Sequence, residues 1–200
     1  MSEEENISLT SLNSGRTGET PLNFTKEFLE ASYKPQQEAA AQLAKKGFTY
    51  DEESSTMERK VFVKDGKPYI SYRGSVRASD WLGNLYAGLT GKPDPKMKKE
   101  LEETGKVLKK YEGKEPTFYG HSRGGLTSER AGEQFGGKVY TYNKATIDPF
   151  KKIRKEQTDI RTTKDIVSLP SIFQRGGTKK TISSPFKQTL IEAHSIKSFV

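Results

Sequence analysis

The chain has no cysteine in 200 residues. That absence excludes disulfide staples, thiolate catalysis and cysteine-based zinc sites, and it fits a reducing compartment. No stretch approaches the roughly 20 apolar residues that a membrane-spanning helix needs. The first residues, Met1 to Asn6, are acidic and polar, the reverse of a secretory signal, so the mature chain is expected to begin where the sequence does. A cytoplasmic or particle-associated location is the matching expectation. Large apolar side chains are also scarce, with 32% hydrophobic residues and a mean hydropathy of −0.82. The core should therefore be modest, with polar stretches outside it. Histidine is nearly missing: only His121 and His194 are present.

Charge is abundant and unbalanced. The net charge is +8 and the isoelectric point about 9.4, which favours anionic partners, either nucleic acid or an acidic lipid surface. No zinc finger, aromatic RNA-binding signature or basic-region helix occurs, and the cations are scattered. Direct nucleic-acid binding therefore ranks last. Most Lys and Arg alternate with Glu and Asp, as in Lys96 to Lys110, the pattern of a solvated face.

Residues 1–22 are rich in Ser, Glu, Asn, Gly and Thr and read as a flexible arm ahead of one domain over 23–200. Asn23 is placed to cap a short helix carrying Phe24, Phe28 and Leu29. Pro35 opens a second helix with Ala40, Leu43 and Ala44 inward and Gly47 at its end. Val61 to Val63 and Tyr69 to Tyr72 flank Lys64-Asp65-Gly66-Lys67, a hairpin signal. Met97, Leu101, Thr104, Leu108 and Tyr111 recur at steps of four and three, an amphipathic helix over 96–111. Pro116 to Tyr119 reads as a buried strand, 120–125 as a turn and 126–135 as a helix stopped by Gly136-Gly137. Val139 to Tyr142 is another strand, with one more near Ile160. Alternating strands and helices predict an α/β fold, a mostly parallel sheet with helices on both faces.

The sharpest feature is Gly120-His121-Ser122-Arg123-Gly124, a Gly-x-Ser-x-Gly pattern between a strand and a helix. Gly and Ser each make up roughly 0.09 of the chain, so the bare pattern arises by chance about once in seven such chains. Its position is the stronger signal, because a nucleophile elbow needs Ser on a tight strand-to-helix turn with small neighbours. The N–H of the following residue, Arg123, then points where an oxyanion would form. A glycine-rich turn with a capping Ser is the plainer alternative.

A Ser nucleophile needs a base. His121 adjoins Ser122 on the backbone, so the two side chains should diverge, and His121 is expected beneath the elbow as a structural residue. His194 remains, last in the chain, as the order Ser, acid, His requires. Asp148, Asp159, Asp165 and Glu156 all lie between them. Asp165 is favoured, because it follows a strand and precedes Ile166-Val167-Ser168-Leu169-Pro170, expected to return to the core.

Three segments resemble the class 3 lipase family, the fungal-lipase-like α/β-hydrolases. They are Tyr72-Arg73-Gly74-Ser75 with Asp80-Trp81-Leu82-Gly83-Asn84-Leu85, the elbow Gly120 to Gly125, and Thr163-Lys164-Asp165-Ile166-Val167 with Leu169-Pro170. The resemblance spans residues 60 to 195 and marks a compact member. It implies Ser122 as nucleophile, Asp165 as orienting acid, His194 as base, and Ser75 with Arg123 as the oxyanion hole. Trp81, Leu85 and Leu126 would line the substrate site, and the segment to Pro95 would form a lid or pocket rim. No metal or organic cofactor is implied.

This chain departs from the family in two places. Arg123 replaces a small or apolar residue, to meet an anionic head group or a carboxylate such as Glu129. The 80–95 region carries few apolar side chains, which argues against activation on triglyceride droplets. The expectation is a serine ester hydrolase, a phospholipase or lipase, settling peripherally on anionic membranes. The alternative is a catalytically silent hydrolase-fold protein used for binding or scaffolding, as in a virion, with the basic Thr178-Lys179-Lys180 region engaged.

Overall fold

A computed structural model of the chain describes residues 21–75, 95–183 and 194–196. Seven strands form one sheet in chain order: β1 (Thr49–Tyr50), β2 (Arg59–Lys64), β3 (Lys67–Tyr72), β4 (Thr117–His121), β5 (Lys138–Tyr142), β6 (Gln157–Thr162) and β7 (Thr178–Ile182). β1 to β3 pair antiparallel, and every later pairing is parallel. The described helices are α1 (Thr25–Ala31), α2 (Gln36–Ala44), α3 (Pro95–Lys109) and α4 (Arg123–Phe135).

The β2–β3 hairpin closes on Asp65 (φ 53°) and Gly66 (φ 69°), two successive positive φ angles that define a type I′ turn and explain the Asp-Gly pair. Alternation along the central strands then separates two cores. Phe62, Tyr119 and Tyr140 face α1 and α2, whereas Val61, Phe118 and Val139 face α3 and α4. Phe28 centres the first core, stacked on Tyr119 at 4.3 Å and edge-on to Phe48 at 5.1 Å. Helices thus cover both faces, as the strand–helix alternation predicts.

Several boundaries differ from the sequence-based expectations. A 3-10 turn over Pro21–Phe24 leads into α1, so Phe24 rather than Asn23 occupies the cap position. Residues 1–20 of the expected arm lie outside the described residues. The stripe of α2 is turned by one position: Ala39 and Leu43 are buried, Ala40 is half-buried and Ala44 exposed. In α3, Thr104 and Val107 are the buried pair, with Leu101, Leu108 and Tyr111 packed beside them. Val107, three residues after Thr104 and four before Tyr111, fits the same steps but is not among the residues of the expected stripe.

β4 continues to His121 and α4 begins at Arg123, not at 126, leaving Ser122 alone between strand and helix. The last strand, Thr-Lys-Lys-Thr-Ile, is an exposed edge with no hydrophobic alternation to announce it, the usual way an edge is blunted. The return of 166–169 to the core is also corrected. Val167 is buried, but Ile166 and Leu169 are exposed, because the Asp165 carboxylate accepts the Val167 and Ser168 N–H groups and turns the chain.

Candidate active site

Ser122 sits at φ 56°, ψ −122°, a conformation that costs a non-glycine residue about 1–3 kcal/mol. Backbone hydrogen bonds hold it there. Its N–H donates to Tyr142 at 3.1 Å, and its carbonyl accepts from Gly125 at 3.0 Å and Ala145 at 3.1 Å. The glycines of the motif answer a spatial need. A Cβ on Gly120 would lie 2.1 Å from the Gly124 carbonyl oxygen, and one on Gly124 would lie 2.2 Å from that of Tyr72. Only bare backbone lets the start of α4 cross the end of β3 this closely.

The turn places the Ser122 hydroxyl 2.8 Å from His194 Nε2, and His194 Nδ1 lies 3.0 Å from Asp165 Oδ1. Asp165 is buried and anchored by the Val167 N–H at 3.0 Å and the Ser168 N–H at 3.2 Å. A carboxylate accepting from Nδ1–H leaves Nε2 as an acceptor for the hydroxyl proton. The competing acids are engaged elsewhere. Asp159 binds Thr141 and Lys144, Asp148 accepts the Phe150 N–H, and Glu156 pairs with Arg154.

His121 points away from Ser122, as its backbone adjacency predicts. Its Nε2 donates to the His194 carbonyl at 2.7 Å, and its Nδ1 accepts the Tyr33 hydroxyl at 2.7 Å. Tyr33 in turn accepts the Gly74 N–H at 3.0 Å. Burial, with the neighbouring His194, pushes the His121 pKa down to about 3, so the ring is neutral and can donate and accept at once. Tyr33 had no signal in the sequence. It lies 88 positions from His121, and no motif surrounds it.

Gly74 lies against the elbow, its Cβ position 3.2 Å from that of Ser122, which brings the half-buried Ser75 beside the site. Arg123 begins α4, whose first-turn N–H groups point beyond the helix. Leu126, three residues on, is buried. Trp81 and Leu85 lie outside the described residues.

Glu129, suggested by the sequence as a partner for Arg123, instead engages buried Lys144 at 2.5 Å, Gln157 at 2.9 Å and Lys151 at 3.0 Å. Lys144 also binds Asp159 at 2.6 Å and Gln174 at 3.0 Å. Burial opposes charge on Glu129, but Lys144 and Lys151 outweigh it and bring its pKa to about 2. This ionic cluster backs directly onto the elbow, because the Lys144 main chain lies 3.2 Å from a Cβ built on Gly125. Reading interleaved charges as solvated hides it.

The sheet order and the strand–Ser–helix elbow define an α/β-hydrolase fold. Solved structures agree. The propeptide complex of Rhizomucor miehei lipase has a TM-score of 0.52 at 16% identity, covering 97% of this chain and 78% of that one. A mutant form of MDLA from Penicillium cyclopium has a TM-score of 0.51 at 14% identity, covering 92% and 84%. A fungal lipase has 0.51 at 15% identity with the same coverage. At these identities the likeness is one of fold. No family model matches the chain, and no curated protein sequence matches it. Among the described residues, no helix is long and apolar enough to cross a membrane, and no three His, Cys, Asp or Glu groups gather to hold a metal.

Proposed function

We propose that the chain is a serine carboxylic-ester hydrolase of the class 3 lipase kind, acting on lipids as a phospholipase or lipase at anionic membrane surfaces. The observation that carries this reading is the hydrogen-bonded run from Ser122 Oγ through the His194 ring to Asp165. His194 Nε2 takes the hydroxyl proton as Oγ attacks the ester carbonyl, and Asp165 stabilises the resulting imidazolium through Nδ1–H. The N–H groups of Arg123 and Ser75 stabilise the oxyanion, aided by the positive end of α4. His194 then protonates the departing alcohol. Water, deprotonated by the same nitrogen, releases the fatty acid and restores Ser122. Trp81, Leu85 and Leu126 serve the acyl chain, and the Arg123 guanidinium suits an anionic head group.

The test compares wild type with Ser122→Ala on short- and long-chain p-nitrophenyl esters and on anionic phospholipid vesicles, with fluorophosphonate labelling alongside. Wild type should be labelled and active, and the variant unlabelled, with turnover reduced at least about a thousandfold. Equal inactivity of two folded proteins would sink the proposal. The ratio of vesicle to ester hydrolysis separates a phospholipase from a general esterase.

A further inference from the structure

The segment from Asp165 to Gln174 is folded inside out. Apart from Val167, its buried positions recur every third residue and are polar: Asp165, Ser168, Ser171 and Gln174, each no more than 3% exposed. Its outward positions are apolar: Ile166 is 55% exposed, Leu169 44%, Ile172 45% and Phe173 59%. The 3-10 turn over Leu169–Phe173 explains the period. The inversion is locked at both ends. Asp165 is held by His194, and Gln174 by Lys144 and the Asp148 carbonyl. The segment cannot roll its apolar side inward without breaking these bonds. A second crossover adds to the same face: Lys152 bridges to Arg175, and the exposed Phe150 ring lies 6.5 Å from that of Phe173. Exposed apolar groups gathered this way mark a surface that meets something.

Charge identifies the partner. Residues 150–182 carry nine Lys and Arg against three Asp and Glu, and two of those acids, Asp159 and Asp165, are buried. Lys152, Lys155 and Arg175 are exposed. This stretch therefore holds most of the chain's net charge of +8. A second copy would bring like charge to the contact. Nucleic acid would match the charge and could stack on Phe150 and Phe173, but it offers nothing to the aliphatic Ile166, Leu169 and Ile172, which have no face for base stacking. A phospholipid surface satisfies both features: anionic head groups for the cations and acyl chains for the protruding side chains.

The geometry points to Ile166, Leu169, Ile172, Phe173 and Phe150, with their basic surround, as a built-in docking face for anionic phospholipid bilayers. Asp165 heads the same segment, so the docking face adjoins the candidate site at one end and runs from there toward the start of β7. This inference rests on the proposed lipid hydrolase for its purpose, and its test does not depend on turnover.

The test uses vesicles of ether-linked phosphatidylglycerol and phosphatidylcholine, which an ester hydrolase cannot cleave. Wild type should sediment with the anionic vesicles at low salt, and far less with pure phosphatidylcholine or at high salt. Ile172→Ser/Phe173→Ser should partition at least about tenfold more weakly with an unchanged melting temperature, since both side chains are exposed. Wild type remaining in the supernatant, or a variant binding as well as wild type, overturns the inference. So does a wild-type dimer, or a complex with single-stranded DNA, that the double substitution dissolves, because the face would then belong to that partner. A protein that binds these vesicles yet hydrolyses no ester defeats the proposed function and spares the docking face; an active protein that ignores them does the reverse.

Discussion

His121 holds the main chain of His194: the Nε2–H of one ring donates to the carbonyl of the other residue at 2.7 Å. The proposed base is therefore positioned from two directions, its ring by Asp165 and its backbone by His121. This device needs a neutral imidazole, and burial, with His194 beside it, keeps the His121 pKa at about 3 instead of its ordinary 6.5. Between those values the unfolded chain binds a proton that the native state refuses. The stabilisation is thus complete above pH 6.5 and shrinks by about 1.4 kcal/mol for each unit of pH below it. His121→Asn retains a donor and an acceptor but cannot titrate. Urea unfolding at several values from pH 7 to pH 4 should give a flatter stability profile for the variant, and parallel profiles would refute the account. Tyr33→Phe should cost about 1–3 kcal/mol at neutral pH, because His121 Nδ1 and the Gly74 N–H both lose their partner.

Asp165 performs two tasks, and one of its oxygens serves both. Its carboxylate shapes the following turn through the Val167 and Ser168 N–H groups and faces His194 Nδ1. Asp165→Asn with its amide N–H toward Nδ1 would keep accepting from Ser168 but lose the Val167 N–H, and it would favour the tautomer that cannot take the Ser122 proton. Turnover of a soluble ester should fall on the order of 10³–10⁴-fold with little change in KM. Asp148→Asn, at an exposed position, should retain near wild-type turnover. Steady-state kinetics of the two variants decides between them, and the opposite ranking would reassign the acid.

How much of this was legible in the sequence follows from how local each signal is. Ser122 stands in a short motif whose spacing the elbow geometry dictates, so sequence alone finds it. His194 emerges because only one other histidine exists and that one adjoins the nucleophile. Asp165 is favoured over Asp148, Asp159 and Glu156 by its place just after a strand, and the family resemblance adds to that. Tyr33 and Lys144 act across long stretches of chain, and nothing beside them in the sequence announces it. The 165–174 segment misleads outright: its apolar residues suggest burial, yet its polar residues hold the interior bonds. β7 is invisible for a related reason, since an exposed, lysine-bearing edge strand carries no period-two pattern.

Lys144 offers a test of the cluster behind the elbow. It is 1% exposed and sits between Glu129 and Asp159. Lys144→Met would leave two buried carboxylates short of their main cation, a loss of about 3–5 kcal/mol. That is a large share of the roughly 5–15 kcal/mol typical of a domain. Adding Glu129→Gln and Asp159→Asn to Lys144→Met should recover much of the stability, because no uncompensated charge remains. Denaturant midpoints of the single and triple variants measure this coupling, and additive losses would show that charge pairing is not what the cluster supplies. Glu129, held at about 2 by Lys144 and Lys151, contributes stability above its usual pKa of about 4.3. That contribution is lost as pH falls from there toward 2.

Gly124 joins fold and site most tightly. A Cβ at this position would lie 2.2 Å from the Tyr72 carbonyl oxygen and 2.9 Å from the Arg73 carbonyl carbon. Both are backbone atoms at the end of β3, so no side chain can swing aside to make room. Gly124→Ala must therefore push α4 away from β3, straining Ser122 and the neighbouring Gly74 together. A stability loss of about 3 kcal/mol or more is expected, along with loss of fluorophosphonate labelling in whatever fraction still folds. Gly113 is the control. It has a positive φ of 76° but open space around its Cβ position, so Gly113→Ala should cost only about 1 kcal/mol of backbone strain and leave labelling intact. Equal melting temperatures for the two variants would mean that the elbow tolerates a methyl group, and that the close crossing of α4 over β3 is not what holds Ser122 in place.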